Sequence, residues 1–99
     1  MQMTKELTGN TLTFTLEGRL DTMTAPELDA EIKNIPQNVT ELILDFSKLE
    51  YVSSAGLRVL LTAQRLMKAN GTMKVTHVNE IVYEVFEVTG LTQLLNIEK

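Results

Sequence analysis

The chain contains no cysteine and a single histidine among its 99 residues. Without cysteine, disulfide frameworks and thiolate metal sites are both excluded. No apolar run approaches the ~18 residues that a membrane-spanning helix requires. The N-terminal stretch MQMTKELTGN also lacks the apolar segment of a secretory signal. We therefore expect one cytoplasmic domain covering residues 1–99.

Positive charge is scarce and scattered along the chain. Nine Lys and Arg residues stand against thirteen Asp and Glu residues, which gives a formal net charge of −4, and no two basic residues are adjacent. A nucleic-acid surface needs a concentrated positive stripe, and docking onto anionic lipid needs a basic cluster. The charge pattern therefore argues against nucleic acid and membrane as partners, and favours a protein partner or a neutral ligand.

Several segments have the apolar spacing of strands. Residues 11–17 alternate as a half-buried strand does. Gly9 and Asn10 before them predict a hairpin turn, with a weaker partner strand over residues 3–8. The apolar run at residues 42–44 is typical of a central strand covered on both faces, and the stretch MKVTHV predicts a further strand.

Three other segments have helical spacing. Residues 21–35 predict a helix in which Thr24 is the N-cap and Glu27 completes a capping box. Residues 55–69 predict a second helix. A third begins at Asn79.

The third predicted helix places its apolar residues on one side. Those residues are Ile81, Val82, Val85 and Phe86, and Gly90 ends the helix. The element order is then β-β-α-β-α-β-α, with a short helical turn or an edge strand as alternatives for the tail. Helices that alternate with strands indicate an α/β fold. We expect a small mixed sheet of four to five strands, antiparallel in its first pair, with helices packed on it.

Two adjacent serines, Ser53 and Ser54, stand where a strand is predicted to lead into the second helix. Such connections lie at the carboxyl ends of strands, where open α/β sheets place their sites. One interpretation is helix capping, because serine is among the best N-cap residues. Another is phosphorylation, because the free N–H groups and partial positive charge of a helix N-terminus tolerate a phosphate.

A catalytic serine is the third interpretation, and the sequence does not favour it. No G-x-S-x-G elbow surrounds either serine, and no Gly-rich phosphate loop with Lys is present. His77 falls in the middle of a predicted strand, where a structural or surface role is expected. Asp21, Asp45 and Glu50 could approach the same end of the sheet, but their spacing specifies no metal. We therefore expect neither an enzyme nor a cofactor.

The stretches LEGRLDTMTAPEL at residues 16–28 and LILDFSKLEYVSSAGLRVLL at residues 42–61 resemble the STAS domain. More closely, they are similar to bacterial anti-sigma factor antagonists. The shared pattern is a Gly-x-Leu-Asp after the second strand, then an apolar strand with an acid or amide near its end. A Ser-Ser-x-Gly-Leu connection into the second helix follows. The closing stretch MKVTHVNEIVYEVFEVTGL also matches, so the resemblance covers nearly the whole chain.

This resemblance implies a non-enzymatic binding module. In partner switching, the unmodified antagonist binds an anti-sigma factor that is also a serine-protein kinase. Phosphorylation of a serine ends the interaction, and a PPM-type phosphatase restores it. By register, the phosphorylated serine corresponds to Ser54, with Ser53 as the second choice. An alternative within the family is an interaction subunit without a phospho-switch, such as a lipid-transporter accessory subunit or a signalling scaffold.

The resemblance also implies a set of partner contacts. These are Gly18, Asp21, Thr22, Asp45, Ser53, Ser54, Gly56, Leu57 and Arg58. The chain departs from the family pattern at Ser53, where many antagonists have Asp, and at Arg58, where several have Gly. Family members of this size are often monomers, so a monomer is expected, with a dimer through the half-exposed face of the first strands as the alternative.

Overall fold

Four strands form one mixed sheet in the order β1-β2-β3-β4 in the computed structural model, which describes all of residues 1–99. The elements are β1 Gln2–Thr8, β2 Thr11–Leu20, α1 Ala25–Lys33, β3 Glu41–Val52, α2 Ser54–Lys68, β4 Thr72–Thr76, α3 Glu80–Val88 and a 3₁₀ helix at Leu91–Gln93. The β1–β2 pair is antiparallel, and β2–β3 and β3–β4 are parallel. The predicted α/β fold and element order are confirmed. No helix of the chain combines the length and the apolar character needed to cross a membrane.

The hairpin turn between β1 and β2 forms where it is predicted. Gly9 has a φ of +61°, a conformation that glycine adopts without steric penalty. The carbonyl of Asn10 accepts hydrogen bonds from the N–H groups of Thr40 (2.9 Å) and Glu41 (3.2 Å). The turn therefore also fixes the start of β3.

One face of the sheet packs against the core. Its buried side chains include Leu12, Phe14, Leu16, Leu42, Leu44 and Phe46, and they belong to the same core cluster as the buried residues of all three helices. On the other face, Thr13 and Ile43 are only half-buried. The expectation that residues 42–44 are covered on both faces is therefore wrong, because the three helices all contribute to a single core on one side.

β3 is longer than its apolar pattern indicates. It continues through a polar stretch to Val52 and stays paired with β2, with Lys48 opposite Glu17 and Tyr51 opposite Arg19. Backbone hydrogen bonds hold this pairing whether or not the side chains are apolar. Asp45 therefore lies inside the strand rather than near its end.

The segment after β4 also differs from the prediction. β4 ends at Thr76, so His77 follows the strand instead of lying within it, and its backbone is left-handed with a φ of +57°. The side-chain amide of Asn79 donates to the carbonyl of Leu49 (3.0 Å), and the Asn79 Oδ1 atom caps α3 by accepting from the N–H of Val82 (2.8 Å). The predicted start of α3 is thus confirmed. In the tail, the short helical turn forms as the 3₁₀ helix, and the alternative of an edge strand does not form beyond an isolated parallel bridge between Ile97 and Val75 of β4.

Candidate functional site

The start of α2 lies beside the loop that precedes α1, at the carboxyl ends of β2 and β3. The N–H of Ser53 donates to the carbonyl of Leu20 (2.8 Å), and Gly56 packs directly on the same leucine. A Cβ atom at position 56 would come within 2.8 Å of Leu20 Cγ and 3.0 Å of its carbonyl oxygen. Glycine at this position therefore permits the close approach that joins the two segments.

The two serines have different structural roles. Ser53 is the N-cap of α2, with extended backbone angles, and its Oγ accepts from the N–H of Gly56 at 3.4 Å. Ser54 is the first residue of the helix and is exposed. Its hydroxyl has no hydrogen-bond partner within the chain. The predicted capping function therefore belongs to Ser53, and a cap by Ser54 does not form.

The loop before α1 is held by hydrogen bonds to Asp21. One carboxylate oxygen, Oδ1, accepts from the N–H groups of Met23 (3.0 Å) and Thr24 (3.2 Å). The Asp21 carbonyl oxygen accepts from the N–H of Ala25 (2.7 Å). Asp21 thus satisfies the free N–H groups at the start of α1, which a capping side chain would otherwise do.

The Thr24 hydroxyl turns away from the helix that it precedes. It donates to the carbonyl of Arg19 (2.9 Å) and accepts from the N–H of Asp21 (2.9 Å), and it makes no cap hydrogen bond to α1. The predicted capping box between Thr24 and Glu27 is therefore wrong. Thr24 was predicted correctly as the N-cap position. Its hydroxyl, however, binds the carbonyl of Arg19 near the end of β2.

Hydrogen bonding keeps the Asp21 carboxylate charged. Desolvation raises the pKa of this carboxyl and is the largest single influence. The opposing effects are the N–H groups of Thr24 and Met23, the Thr24 hydroxyl and the Arg19 guanidinium, which lies 3.8 Å from Oδ2. Together they hold the pKa of Asp21 below its ordinary value of 3.8. A fixed negative charge therefore lies in the loop beside α2.

Three exposed residues that the sequence analysis did not select also lie at this end of the sheet. The Arg19 guanidinium lies 4.6 Å from the centre of the Tyr51 ring, and Tyr51 is 38% exposed. Met23, at the tip of the loop, is 86% exposed. Arg, Tyr and Met are enriched in protein interfaces. The sequence feature that could have indicated these residues is a large side chain within an otherwise polar stretch near the end of a strand.

We call the exposed and half-buried residues at this end the serine surface. Its members are Arg19, Asp21, Thr22, Met23, Tyr51, Ser53, Ser54 and Arg58. An open groove of about 250 Å³ separates the first turns of α1 and α2, and Thr22 and Ala55 are among its lining residues. Because the groove is shallow and open, its shape suits a macromolecular partner better than an enclosed small ligand.

Besides the buried Gly56, two more of the predicted contact residues are parts of the framework. Leu57 is 8% exposed and belongs to the core. Gly18 lies in β2 opposite Leu49, next to a register shift, with a φ of +100°. Such a conformation favours glycine. Both residues support the serine surface from within.

Asp45 is not brought to the serine surface. It lies seven positions before Val52, which corresponds to roughly 23 Å along the strand, and it is on the sheet face opposite the core. Its Oδ1 accepts from the N–H of Ser47 (2.9 Å) and lies 3.4 Å from His77 Nδ1. The structure therefore separates this acid from Ser54.

Known proteins share this arrangement of elements. The family described as "Mlab, STAS domain" matches residues 3–96. The chain is 31% identical over 99 residues to BtrV of Bordetella bronchiseptica, named as an anti-sigma factor antagonist, with 98% of this chain and 85% of BtrV covered. It is also similar to two solved structures of the anti-sigma factor antagonist SpoIIAA.

The two SpoIIAA structures differ in their phosphorylation. The unphosphorylated form matches with a TM-score of 0.78 and 22% identity, covering 99% of this chain and 87% of SpoIIAA. The phosphorylated form, from Bacillus, matches with a TM-score of 0.77 and 24% identity, covering 99% of this chain and 92% of SpoIIAA. These two likenesses establish the fold.

Proposed function

This chain belongs to the STAS domain family, and we propose that it is an anti-sigma factor antagonist that phosphorylation of Ser54 switches off. Its partner is an anti-sigma factor that is also a serine-protein kinase, and a PPM-type phosphatase reverses the modification. The protein acts in the cytoplasm as a monomer. The name of its relative BtrV supports the coarser part of this proposal.

The observation that carries the proposal is the free hydroxyl of Ser54. It is exposed at the first position of α2, and the neighbouring residue Ser53 already provides the cap. A phosphate on Ser54 therefore breaks no hydrogen bond of the fold. At a helix N-terminus its charge gains roughly 0.3–1 kcal/mol from the helix dipole.

The same geometry favours Ser54 over Ser53 as the acceptor. Ser53 is half-buried, its N–H is bound to Leu20, and its Oγ accepts from Gly56. A kinase acting on Ser53 has to displace this cap bond, which is worth about 0.5–2 kcal/mol in typical helices. Ser54 requires no such displacement.

The similarity to both forms of SpoIIAA is in agreement with a phosphate that leaves the fold intact. The chain matches the unphosphorylated and phosphorylated structures of that protein almost equally well, with TM-scores of 0.78 and 0.77. A switch of this kind acts at the surface rather than by unfolding.

Electrostatics explain how a surface phosphate ends binding. It adds ~1.5 to 2 negative charges to a surface that already holds the charged Asp21 carboxylate. A partner that covers Met23, Tyr51 and the start of α2 has to strip water from this dianion. Burying an unpaired charge is costly, so the partner dissociates.

The proposal is tested by incubating the purified protein with candidate anti-sigma kinases and ATP. Intact mass analysis should show one added phosphate on the parent and on Ser53→Ala, and none on Ser54→Ala. In a pull-down, Ser54→Ala should still bind the kinase, whereas Ser54→Asp should bind weakly. Phosphorylation of Ser54→Ala to the same extent as the parent would overturn the site assignment.

A STAS-domain interaction subunit without a phospho-switch is the second candidate. The departures from the antagonist pattern at Ser53 and Arg58 favour it. It predicts that no anti-sigma kinase modifies the protein and that the chain copurifies with a transporter complex or a signalling scaffold. Stable copurification of the chain with such a complex or scaffold, while Ser54 stays unmodified, would favour this candidate.

A further inference from the structure

The outer face of α3 exposes an apolar stripe. Ile81, Val85 and Val88 lie one and two turns apart along the helix, and Ile81 and Val88 are 67% and 79% exposed. They border an open groove of about 280 Å³. The expectation that Ile81 lies on one side of the helix with Val82 and Phe86 is wrong, because α3 buries Val82 and Phe86 and leaves Ile81 exposed.

A row of carboxylates runs beside this stripe. Glu80, Glu84 and Glu87 fall within roughly 60° of helical arc, about 100° around the axis from the stripe. No Lys or Arg of the chain forms an ion pair with any of the three. We call the three carboxylates and the apolar stripe together the α3 face.

The α3 face is unfavourable for the isolated chain in two respects. Like charges three and four residues apart repel each other on a helix. Glu87 also lies in the last turn, where the helix dipole disfavours negative charge, and α3 has no basic residue in that turn. Lys99 is the basic residue recorded against this helix, over the Tyr83 ring, and it forms an ion pair with none of the three carboxylates. Ile81 and Val88 also remain exposed, and one partner would relieve both the repulsion and the exposure.

Charge decides which partner fits. A second copy of this chain, packed symmetrically through the apolar stripe, would bring the two carboxylate rows together and suffer like-charge repulsion. A partner that presents an apolar stripe flanked by Lys or Arg would bury the exposed side chains and neutralise the row. Helices that bind grooves and helix faces supply such stripes at a spacing of three or four residues.

We propose that the α3 face is a docking surface for a basic amphipathic helix of another protein. Contact is made by Ile81, Val85 and Val88, and the orientation is set by Glu84 and Glu87. The surface does not include Ser54 and does not depend on the phosphorylation switch. A chain of this kind can therefore bind a second protein while the serine surface is free or occupied.

The test uses two designed peptides. One has a leucine stripe flanked by lysines, and its matched control has glutamate at every lysine position. Both are titrated into the ¹⁵N-labelled full chain, and amide shifts are recorded. We expect the lysine peptide alone to bind, with the largest shifts in residues 80–89, and to bind more weakly in high salt.

Variants of the α3 face sharpen the result. Ile81→Ser combined with Val88→Ser should weaken binding roughly tenfold, since each loses a small apolar contact. Glu84→Lys combined with Glu87→Lys should transfer the preference to the glutamate peptide. Leu94→Ser, which removes another exposed apolar side chain, and Ser54→Asp should both leave binding unchanged.

Urea unfolding of each variant checks that it is folded. The proposal is overturned if both peptides bind equally well, if neither binds, or if the shifts lie outside α3. It is also overturned if sedimentation shows that the parent dimerises and that Ile81→Ser combined with Val88→Ser abolishes the dimer. In that case the stripe is a contact between copies.

Discussion

The starts of α1 and α2 lie side by side, yet they are fixed to very different degrees. Before α1, the Asp21 carboxylate and the Thr24 hydroxyl make hydrogen bonds of 2.9–3.2 Å to three backbone N–H groups and one carbonyl. Before α2, the only side-chain bond is the 3.4 Å contact from Ser53 to the N–H of Gly56. Several side-chain hydrogen bonds hold one helix start, and the other retains a free hydroxyl.

This difference shows how a small domain can combine a fixed recognition surface with a modifiable residue. Thr24 and Ser54 carry the same functional group near a helix start. The Thr24 hydroxyl is both donor and acceptor, so modifying it would disrupt the loop. The Ser54 hydroxyl neither donates nor accepts a hydrogen bond within the chain. A phosphate on Ser54 therefore breaks no hydrogen bond of the fold, whereas one on Thr24 would break two.

Of the changes at the two helix starts, the largest loss of stability is expected from one that forces the start of α2 away from Leu20. In Gly56→Val, the new side chain would collide with the fully buried Leu20. We expect a loss of about 3 kcal/mol in the free energy of unfolding, at the upper end for overpacking, measured by urea titration. Phosphorylation of Ser54 should slow as well, because the start of α2 has to move.

Gly71→Ala is the matched control for that variant. Its new Cβ would collide with the Thr40 carbonyl at the far end of α2, so it should also destabilise the protein. Under conditions in which it is folded, however, its Ser54 should be phosphorylated at the parent rate. Equal slowing in both variants would contradict the role given to Gly56 at the helix start.

Removing the Thr24 hydroxyl should have the next largest effect. Thr24→Val leaves the N–H of Asp21 and the carbonyl of Arg19 without their partner. We expect a loss of about 1–2 kcal/mol in unfolding free energy. Thr22→Val, the same change at an exposed position of the same loop, should stay within about 0.5 kcal/mol. If the two variants lose equal stability, the Thr24 network does not hold the loop.

Asp21→Asn should cost less than Thr24→Val, because asparagine keeps an acceptor oxygen. Since the folded-state pKa of Asp21 lies below its ordinary value of 3.8, the carboxylate stabilises the fold above that value. This contribution is lost as the pH falls through the folded-state pKa. The variant should therefore be less stable than the parent at neutral pH and equal to it in strong acid. A difference in urea midpoint that is independent of pH would contradict this assignment.

The smallest expected effects separate the two serines. Ser53→Ala removes the long cap bond and should cost about 0.5–1 kcal/mol. Ser54→Ala removes no bond and should stay within about 0.5 kcal/mol of the parent. Thermal unfolding of the two variants side by side measures the difference. A larger loss for Ser54→Ala would show that its hydroxyl supports the fold.

Apolar periodicity was sufficient to predict the order of the elements. Alternation such as Leu12, Phe14 and Leu16 directly reports which side chains face a core, and these residues are buried as expected. Periodicity could not predict the end of β3, because its last residues are polar and are held by backbone pairing with β2. Asp45 was consequently placed too close to the serines.

Side-chain direction was the other feature that the sequence could not provide. Thr24 and Glu27 have the residue types of a capping box, but the Thr24 hydroxyl binds Arg19 because the chain turns back there. Ile81 fits the apolar pattern of α3, yet the core lies on the side of Val82 and Phe86. The first outcome depends on the backbone path of the loop between Arg19 and Thr24, and the second on which side of α3 packs on the core. Apolar spacing specifies neither.

The free energy of unfolding of the protein carrying phosphoserine at position 54, compared with the unmodified protein, tests the account most directly. Because the Ser54 hydroxyl has no partner in the fold and lies at a helix N-terminus, stability should be unchanged or raised by up to about 1 kcal/mol. A loss of more than about 1 kcal/mol would show that the phosphate disturbs the fold, which contradicts a switch confined to the surface.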